Sequence, residues 1–232
     1  MPCPRAGDGV GAISSPYRPS RLRRMRFPAI PHPLLLRSLV VALIGTVSVG
    51  TALAQADEAR AKRIAGGSCF LCHGVNGEST SEVFPRLAGQ NAQYIAKQLE
   101  AFKSGQRKSS AMAELSARLT SDEMLALGRY YEKMEPPREA PKDPALAAVG
   151  QYIYHHGNRF SGVPSCASCH GANGEGAANL PRLASQFSGY LFTQLKQFNN
   201  RQRTDDNQVM HVVVEKMTEF EMAAVSEYLS GK

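Results

Sequence analysis

The chain has 232 residues, a length that suits one or two domains. Its formal net charge is +7, but residues 1–54 hold seven arginines and one acidic residue, Asp8, so that segment contributes +6 and the rest only +1. The basic balance is therefore no evidence for nucleic-acid binding, and we expect no nucleic-acid partner.

Residues 1–54 have the features of an export signal. Arginines precede the apolar run LVVALIGTVSVG, and Ala52-Leu53-Ala54 supplies the small residues of a cleavage site. We predict cleavage after Ala54, with Met25 as an alternative translation start. The stretch from Leu39 to Ala54 covers 16 residues, which is short for a bilayer-spanning helix, although an uncleaved anchor is the alternative. We therefore expect the mature protein in the periplasm.

One pattern occurs twice after this signal. The segment GGSCFLCHGVNGES, residues 66–79, matches VPSCASCHGANGEG, residues 163–176, and a PRLA stretch follows each copy. The two histidines are 97 positions apart, which is the size of a small domain. We predict two tandem domains, residues 55–134 and 145–232, joined by the proline-rich linker 135–144.

Each half shows the periodicity of three helices, so the predicted fold class is all-α. Thr120 and Thr218 each begin a T-x-x-E capping box, and Asp143 followed by Pro144 is a favourable helix start. In chain order we expect helices over residues 56–66, over 91–103, after Thr120, from Pro144 onward, over 187–199 and after Thr218.

Each half also contains a C-x-x-C-H motif, formed by Cys69, Cys72 and His73 and by Cys166, Cys169 and His170. A zinc site needs four ligands, yet the two thiol pairs lie in separate domains. A redox dithiol needs its C-x-x-C within a βαβ pattern, and the sequence has no strand-rich stretch. A disulfide gives no reason for the histidine that follows the second cysteine in both copies. Haem uses all three residues, because the thiols bond to its vinyl groups and the histidine binds its iron. We predict two covalently bound haem c groups.

The second axial iron ligand is predicted to be Met112 in the first half and Met210 in the second. Each stands eight residues before the threonine of a capping box, in what reads as a polar loop. Methionine sulfur is a common partner of histidine in electron-transfer haems. Met124 and Met222 also match between the halves, but they continue the apolar face of a helix and are expected in the core.

These features resemble those of class I cytochromes c, and the tandem arrangement resembles the dihaem cytochrome c-four family of bacteria. The resemblance covers the chain from about Ala56 to its C-terminus. It implies two tandem class I cytochrome c domains, each with about three main helices around one haem. Pro85 and Pro181 match the family proline whose carbonyl orients the haem histidine. Four arginines match positions that face haem propionates: Arg86, Arg107, Arg182 and Arg203.

The resemblance also implies a carrier of single electrons. Its donor would be a quinol-oxidising complex or a dehydrogenase, its acceptor a terminal oxidase, and such carriers sometimes associate peripherally with the membrane. Two saturated irons leave no place for a substrate, so we expect no enzyme. Two alternatives stay open: a cytochrome subunit of a dehydrogenase, and a dihaem enzyme (a peroxidase or sulfur-compound dehydrogenase) with one open iron.

Overall fold

The computed structural model describes residues 55–177 and 179–232, and the predicted export signal in residues 1–54 lies outside them. Ten α-helices run through this part of the chain: residues 55–64 (α1), Phe70–His73 (α2), Ala92–Lys103 (α3), Ser110–Ala117 (α4), Ser121–Glu132 (α5), Pro144–His156 (α6), Ala167–His170 (α7), Ser188–Asn199 (α8), Val209–Val214 (α9) and Glu219–Ser230 (α10). None of these described helices has the length and apolar character needed to cross a membrane.

Extended structure in the described residues is limited to two isolated bridges, one between Asn158 and Val163 and one between Ala177 and Leu180. The predicted all-α fold is therefore confirmed. The three main helices expected in each half are present, and the short helices α2, α4, α7 and α9 are added between them.

In the first half, α3 and α5 pack against each other and against α1. Their shared core includes Ala61, Ile95 and Tyr131, which are almost fully buried. The two helices approach so closely that a Cβ atom at Gly128 would overlap the carbonyl oxygen of Ala92. Any larger residue at position 128 would push α3 and α5 apart.

In the second half, α6, α8 and α10 form the corresponding core. Its most deeply buried members include Tyr154, Val214, Met222 and Ala224. Gly150 lets α6 lie directly on α10, because a Cβ atom there would overlap the carbonyl oxygen of Ala224.

The helix starts predicted from the sequence are confirmed. The Thr120 hydroxyl accepts the Glu123 N–H at 3.3 Å, and the Glu123 carboxylate accepts the Thr120 N–H at 2.8 Å. Thr218 and Glu221 repeat both bonds, at 3.2 and 2.7 Å. Asp143 caps α6 through its side chain. These caps satisfy N–H groups that a helix start otherwise leaves without partners.

The expectation that Met112 and Met210 lie in loops is wrong. Both lie near the N-terminal ends of short helices, α4 and α9. Ser109 starts α4 by accepting the Met112 N–H at 3.4 Å, and the Asp206 carboxylate accepts the Met210 N–H at 2.5 Å. Two of the polar residues that suggested a loop bond through their side chains to the helix that follows: Ser109 caps α4, and Asp206 accepts the Met210 N–H.

The two halves meet in a buried polar network with near-twofold symmetry. The Gln98 side-chain oxygen accepts bonds from Arg107 at 2.5 Å and from Arg203 at 2.9 Å, and the Gln194 oxygen accepts from the same two arginines at 2.9 and 2.8 Å. Each arginine thus bonds to a glutamine of its own half and to one of the other half. The network ties the helices α3 and α8 together at the domain boundary.

Asp205 breaks this symmetry, because the matching residue of the first half is Ser109. Its carboxylate accepts bonds from Arg203 at 2.8 Å and from Gln98 at 2.7 Å. Burial raises the pKa of the Asp205 carboxyl, but the hydrogen bonds and charges of Arg203, Gln98 and Arg107 together outweigh that effect and hold the pKa below its ordinary value. The side chain of Asp205 is only 1% exposed, so the pair is fully enclosed.

Replacing Asp205 with Ala should lower the free energy of unfolding of the haem-loaded protein by about 3–5 kcal/mol, because the Arg203 charge would stay buried without its carboxylate. Since the folded pKa of Asp205 is depressed, its stabilisation is present above the ordinary carboxyl pKa and is lost as the pH falls through the folded value. Denaturant unfolding between neutral and acid pH measures both effects.

The matched control is Glu114→Ala, which removes the exposed ion pair with Arg118. That variant should lose at most about 1 kcal/mol, since exposed pairs contribute little. Equal losses in the two variants would contradict a structural role for the buried pair.

Candidate haem-binding sites

The first C-x-x-C-H motif forms a compact helical turn. Cys69 ends a π-helical turn, Ala65–Cys69, while Cys72 and His73 lie in α2. The Cys69 side chain is half-buried, Cys72 is exposed, and His73 is 7% exposed. The motif therefore offers two thiols and one imidazole within a single short helical segment. Burial raises the pKa of the Cys69 thiol.

The second motif repeats this arrangement. Cys166 is half-buried and Cys169 exposed, and His170 is buried at the end of α7. Burial raises the pKa of the Cys166 thiol to about 11. No disulfide joins the two cysteines of either motif. Across residues 55–177 and 179–232, no group of three or more His, Cys, Asp and Glu side chains is arranged to hold a metal ion.

Each histidine ring is held by one backbone carbonyl. His73 Nδ1 donates to the oxygen of Pro85 at 2.8 Å, and His170 Nδ1 lies 3.4 Å from the oxygen of Pro181. A carbonyl can only accept, so the proton is on Nδ1 and the lone pair is on Nε2. Burial lowers the pKa of both rings, which keeps them neutral. A neutral ring with a free Nε2 is the form that binds iron.

The repeated Asn-Gly and PRLA stretches explain how each proline reaches its histidine. The carbonyl of Gly77 accepts the N–H groups of Leu87 and Ala88 at 2.7 and 3.0 Å, and the carbonyl of Gly174 makes the same pair of bonds to Leu183 and Ala184. Gly77 has φ +76°, and a Cβ there would lie 2.8 Å from the backbone nitrogen of Ala88. Glycine is therefore required where the PRLA stretch folds back onto the motif.

The predicted propionate arginines occupy three different settings. Arg107 and Arg203 belong to the buried network between the halves. The Arg86 guanidinium bonds to the carbonyl of Ser185 at 2.7 Å and pairs with Glu139. Arg182 differs from all three, because its Nε is buried and has no hydrogen-bond partner among the described residues.

The residues present fit covalently bound haem. The thiol pair would bond to the vinyl carbons of the haem. The neutral imidazole would bind the iron through its free Nε2, and the buried arginine nitrogen would bind a propionate. Burial lowers the pKa of Arg182, and a carboxylate beside it would reverse that effect and satisfy its Nε.

Met112 and Met210 are half-buried. Each lies on a short helix that packs against a long helix of its own half, α4 against α3 and α9 against α8. Met124 and Met222 are each 1% exposed and lie in the cores, as predicted. His211, beside Met210, is buried, and its Nδ1 bonds to the carbonyl of Phe198 at 3.0 Å. That bond gives His211 a structural role.

One pair of residues at these sites, Gln90 and Gln186, was not predicted from the sequence. Their side chains cross between the halves and bond to the backbone of Arg182 and Arg86. The signal was present in the sequence, because PRLAGQ and PRLASQ repeat the glutamine in the same register.

Comparison with known proteins agrees with this geometry. The cytochrome c family model matches the chain twice, over residues 58–157 and 147–231. Cytochrome c4 from Thiocapsa roseopersicina is 39% identical over 181 residues, covering 76% of this chain and 91% of that protein. The structure of reduced recombinant cytochrome c4 from Pseudomonas stutzeri superimposes with a TM-score of 0.70 at 32% identity, covering 75% of this chain and 97% of that one.

A further relative is named for a different role. The thiosulfate dehydrogenase electron acceptor of Thiomonas intermedia is 34% identical over 170 residues, covering 71% of this chain and 78% of that protein.

The chain belongs to the cytochrome c family, and within it to the dihaem cytochrome c4 group. The two tandem cytochrome c domains and the two covalently bound haem c groups predicted from the sequence are confirmed by this membership. The protein is an electron-transfer protein and not an enzyme, as expected. The domain boundaries at 134 and 145 and the individual ligands stay predictions.

Replacing Cys69 and Cys72 together with Ala should give an exported protein that carries one haem, because the thioether bonds of the first half cannot form. Intact mass of the purified protein measures this loss directly. Ser168→Ala, a change inside the second motif that removes no thiol, should keep two haems. Two haems in the double variant would contradict the assignment of these cysteines.

Proposed function

We propose that the protein is a periplasmic carrier of single electrons, with His73 and Met112 as axial ligands in the first half and His170 and Met210 in the second. The observation that carries this proposal is the duplicated site: each half presents a thiol pair, a neutral imidazole with a free Nε2 and a half-buried methionine in matching register.

Bound haem supplies a one-electron ferric–ferrous couple. The chain's contribution is to hold it: Pro85 and Pro181 fix the ring orientation and the tautomer of the two histidines. Methionine sulfur favours the ferrous state and therefore raises the reduction potential. Filling both axial positions excludes substrates from the iron. The arginines Arg86, Arg107, Arg182 and Arg203 would place positive charge near the propionates.

The export signal predicted in residues 1–54 supports a periplasmic location, and the family resemblance supports peripheral association at the membrane surface. Membership of the cytochrome c4 group supports redox proteins as partners. We propose a quinol-oxidising complex or a dehydrogenase as donor and a terminal oxidase as acceptor. Contacts with such partners are small and transient in redox proteins.

A second candidate is a dedicated acceptor for one dehydrogenase. The relative from Thiomonas intermedia, named as the electron acceptor of thiosulfate dehydrogenase, supports it at 34% identity. The haem chemistry is the same in both proposals, and only the donor differs.

Replacing Met112 or Met210 with Ala should open one iron to added ligands and lower one reduction potential, because the thioether that favours the ferrous state is removed. Optical spectra of the ferrous protein before and after carbon monoxide measure the opening. The unsubstituted protein should show no carbon monoxide response.

The matched controls are Met124→Leu and Met222→Leu, which keep the volume of two core residues and should cost less than about 1.5 kcal/mol of stability. Their ferric spectra should retain the sulfur-to-iron band. If the core variants lost that band and the Met112 and Met210 variants kept it, the ligand assignment would have to be exchanged.

The two partner proposals differ in what reduces the purified protein. A free respiratory carrier should be reduced by membranes supplied with quinol and reoxidised by a terminal oxidase, with rates that fall as salt rises if charged surfaces guide the encounter. A dedicated acceptor should instead co-purify with a dehydrogenase and be reduced only when that enzyme and its substrate are present. Stopped-flow absorbance with each donor separates the two.

A further inference from the structure

Two glutamine side chains cross the boundary between the halves in a reciprocal way. The Gln186 side-chain oxygen accepts the Arg86 N–H at 2.9 Å, and its amide donates to the Arg86 carbonyl at 3.0 Å. Gln90 makes the same two bonds to Arg182, at 2.7 and 2.9 Å. Both glutamines are buried, at 7% exposure for Gln90 and 5% for Gln186.

These bonds fall on the peptide groups that hold the haem histidines. The Arg86 N–H and the Pro85 carbonyl belong to one peptide group, and that carbonyl accepts His73 Nδ1 at 2.8 Å. A continuous chain of hydrogen bonds therefore runs from the His73 ring, through a single peptide, to Gln186 of the other half. The His170 ring is linked through the Pro181–Arg182 peptide to Gln90 in the same way.

Hydrogen bonds in such a chain strengthen one another. An acceptor on a peptide N–H polarises the group and makes its carbonyl a better acceptor, by about 10–30% per bond. A stronger bond at Nδ1 makes the imidazole a better electron donor at Nε2, which is the outer-shell effect by which proteins tune bound metals. A better donor stabilises ferric over ferrous iron.

We propose that Gln186 and Gln90 are positioning residues that act across the domain boundary, so that each half tunes the haem histidine of the other. This inference rests on the proposed function, because it takes His73 and His170 as iron ligands. It makes the reduction potential of each haem depend on a side chain of the other half, without any movement of the domains.

A nearby residue that crosses the boundary without touching the histidine-holding peptides provides a control. Asn91 also crosses the boundary and donates to the carbonyls of Ala177 and Leu180 at 2.8 and 2.6 Å. It bonds to neither end of the Pro181–Arg182 peptide, and the matching residue of the second half is Phe187. Asn91→Ala therefore removes interdomain hydrogen bonds while leaving both histidine chains intact.

The test uses the haem-loaded protein with Gln186→Leu or Gln90→Leu. Intact mass and ferrous spectra first establish two haems with filled axial positions in each variant. The Nδ1–H resonances of the ferrous protein, labelled with ¹⁵N-histidine and assigned through contacts within each half, then report each ring separately. Spectroelectrochemical titration gives the two potentials.

Gln186→Leu should move the Nδ1–H resonance of His73 and leave that of His170 in place, and Gln90→Leu should do the reverse. The affected haem should become easier to reduce, with its equilibrium constant rising about threefold, or about 28 mV at 59 mV per decade for a one-electron couple. We expect the larger effect from Gln186, since the His73 chain has the shorter bond at its ring.

Two further variants separate this role from simple loss of packing. Gln186→Glu keeps an oxygen that accepts the Arg86 N–H, so it should not raise the potential as Gln186→Leu does. Asn91→Ala should leave both resonances and both potentials unchanged. The inference is overturned if Gln186→Leu shifts neither ring or shifts His170 instead, or if Asn91→Ala matches the glutamine variants. If the variants still hold two haems with filled axial positions, each of those outcomes contradicts this inference and not the proposed function.

Discussion

One hydrogen bond determines what each site can do, namely that from the histidine Nδ1 to a proline carbonyl. It fixes the tautomer, leaves Nε2 free and sets the direction of the ring. Much of the surrounding backbone serves this bond. The glycine carbonyls at positions 77 and 174 draw the PRLA stretch onto the motif, and the short helices α2 and α7 present the ring with both thiols. A carrier of electrons benefits from such rigidity, because little has to reorganise when the iron changes oxidation state.

The boundary between the halves is built mainly from directional polar contacts. Arg107, Arg203 and the glutamines at 98 and 194 need a particular geometry, which an apolar surface does not. Such a network specifies one relative placement of two domains when all its members are satisfied. Asp205 makes it unsymmetrical, because a carboxylate faces Arg203 while Arg107 bonds to neutral groups. Two domains of one type thus meet with unequal charge, which gives the two sites different electrostatic surroundings.

The sequence predicted well wherever the signal was local. The capping boxes at Thr120 and Thr218, the two motifs and the core positions Met124 and Met222 follow from short-range pattern, and the repeat supplied an independent check on each. The prediction that Met112 and Met210 lie in loops was wrong for a local reason as well, because serine and aspartate occur at helix starts as readily as in loops.

Contacts between the halves could not be predicted in this way. Gln90 and Gln186 repeat in the sequence, but repetition alone does not show that each serves the other half and not its own. Only the fold places a glutamine of one domain against the proline–arginine peptide of the other. When two copies of one domain pair about an approximate twofold axis, a contact that a residue of one copy makes near the axis is repeated by the matching residue of the other copy. In this protein the two reciprocal contacts place a glutamine of each half on the peptide that holds the haem histidine of the other half.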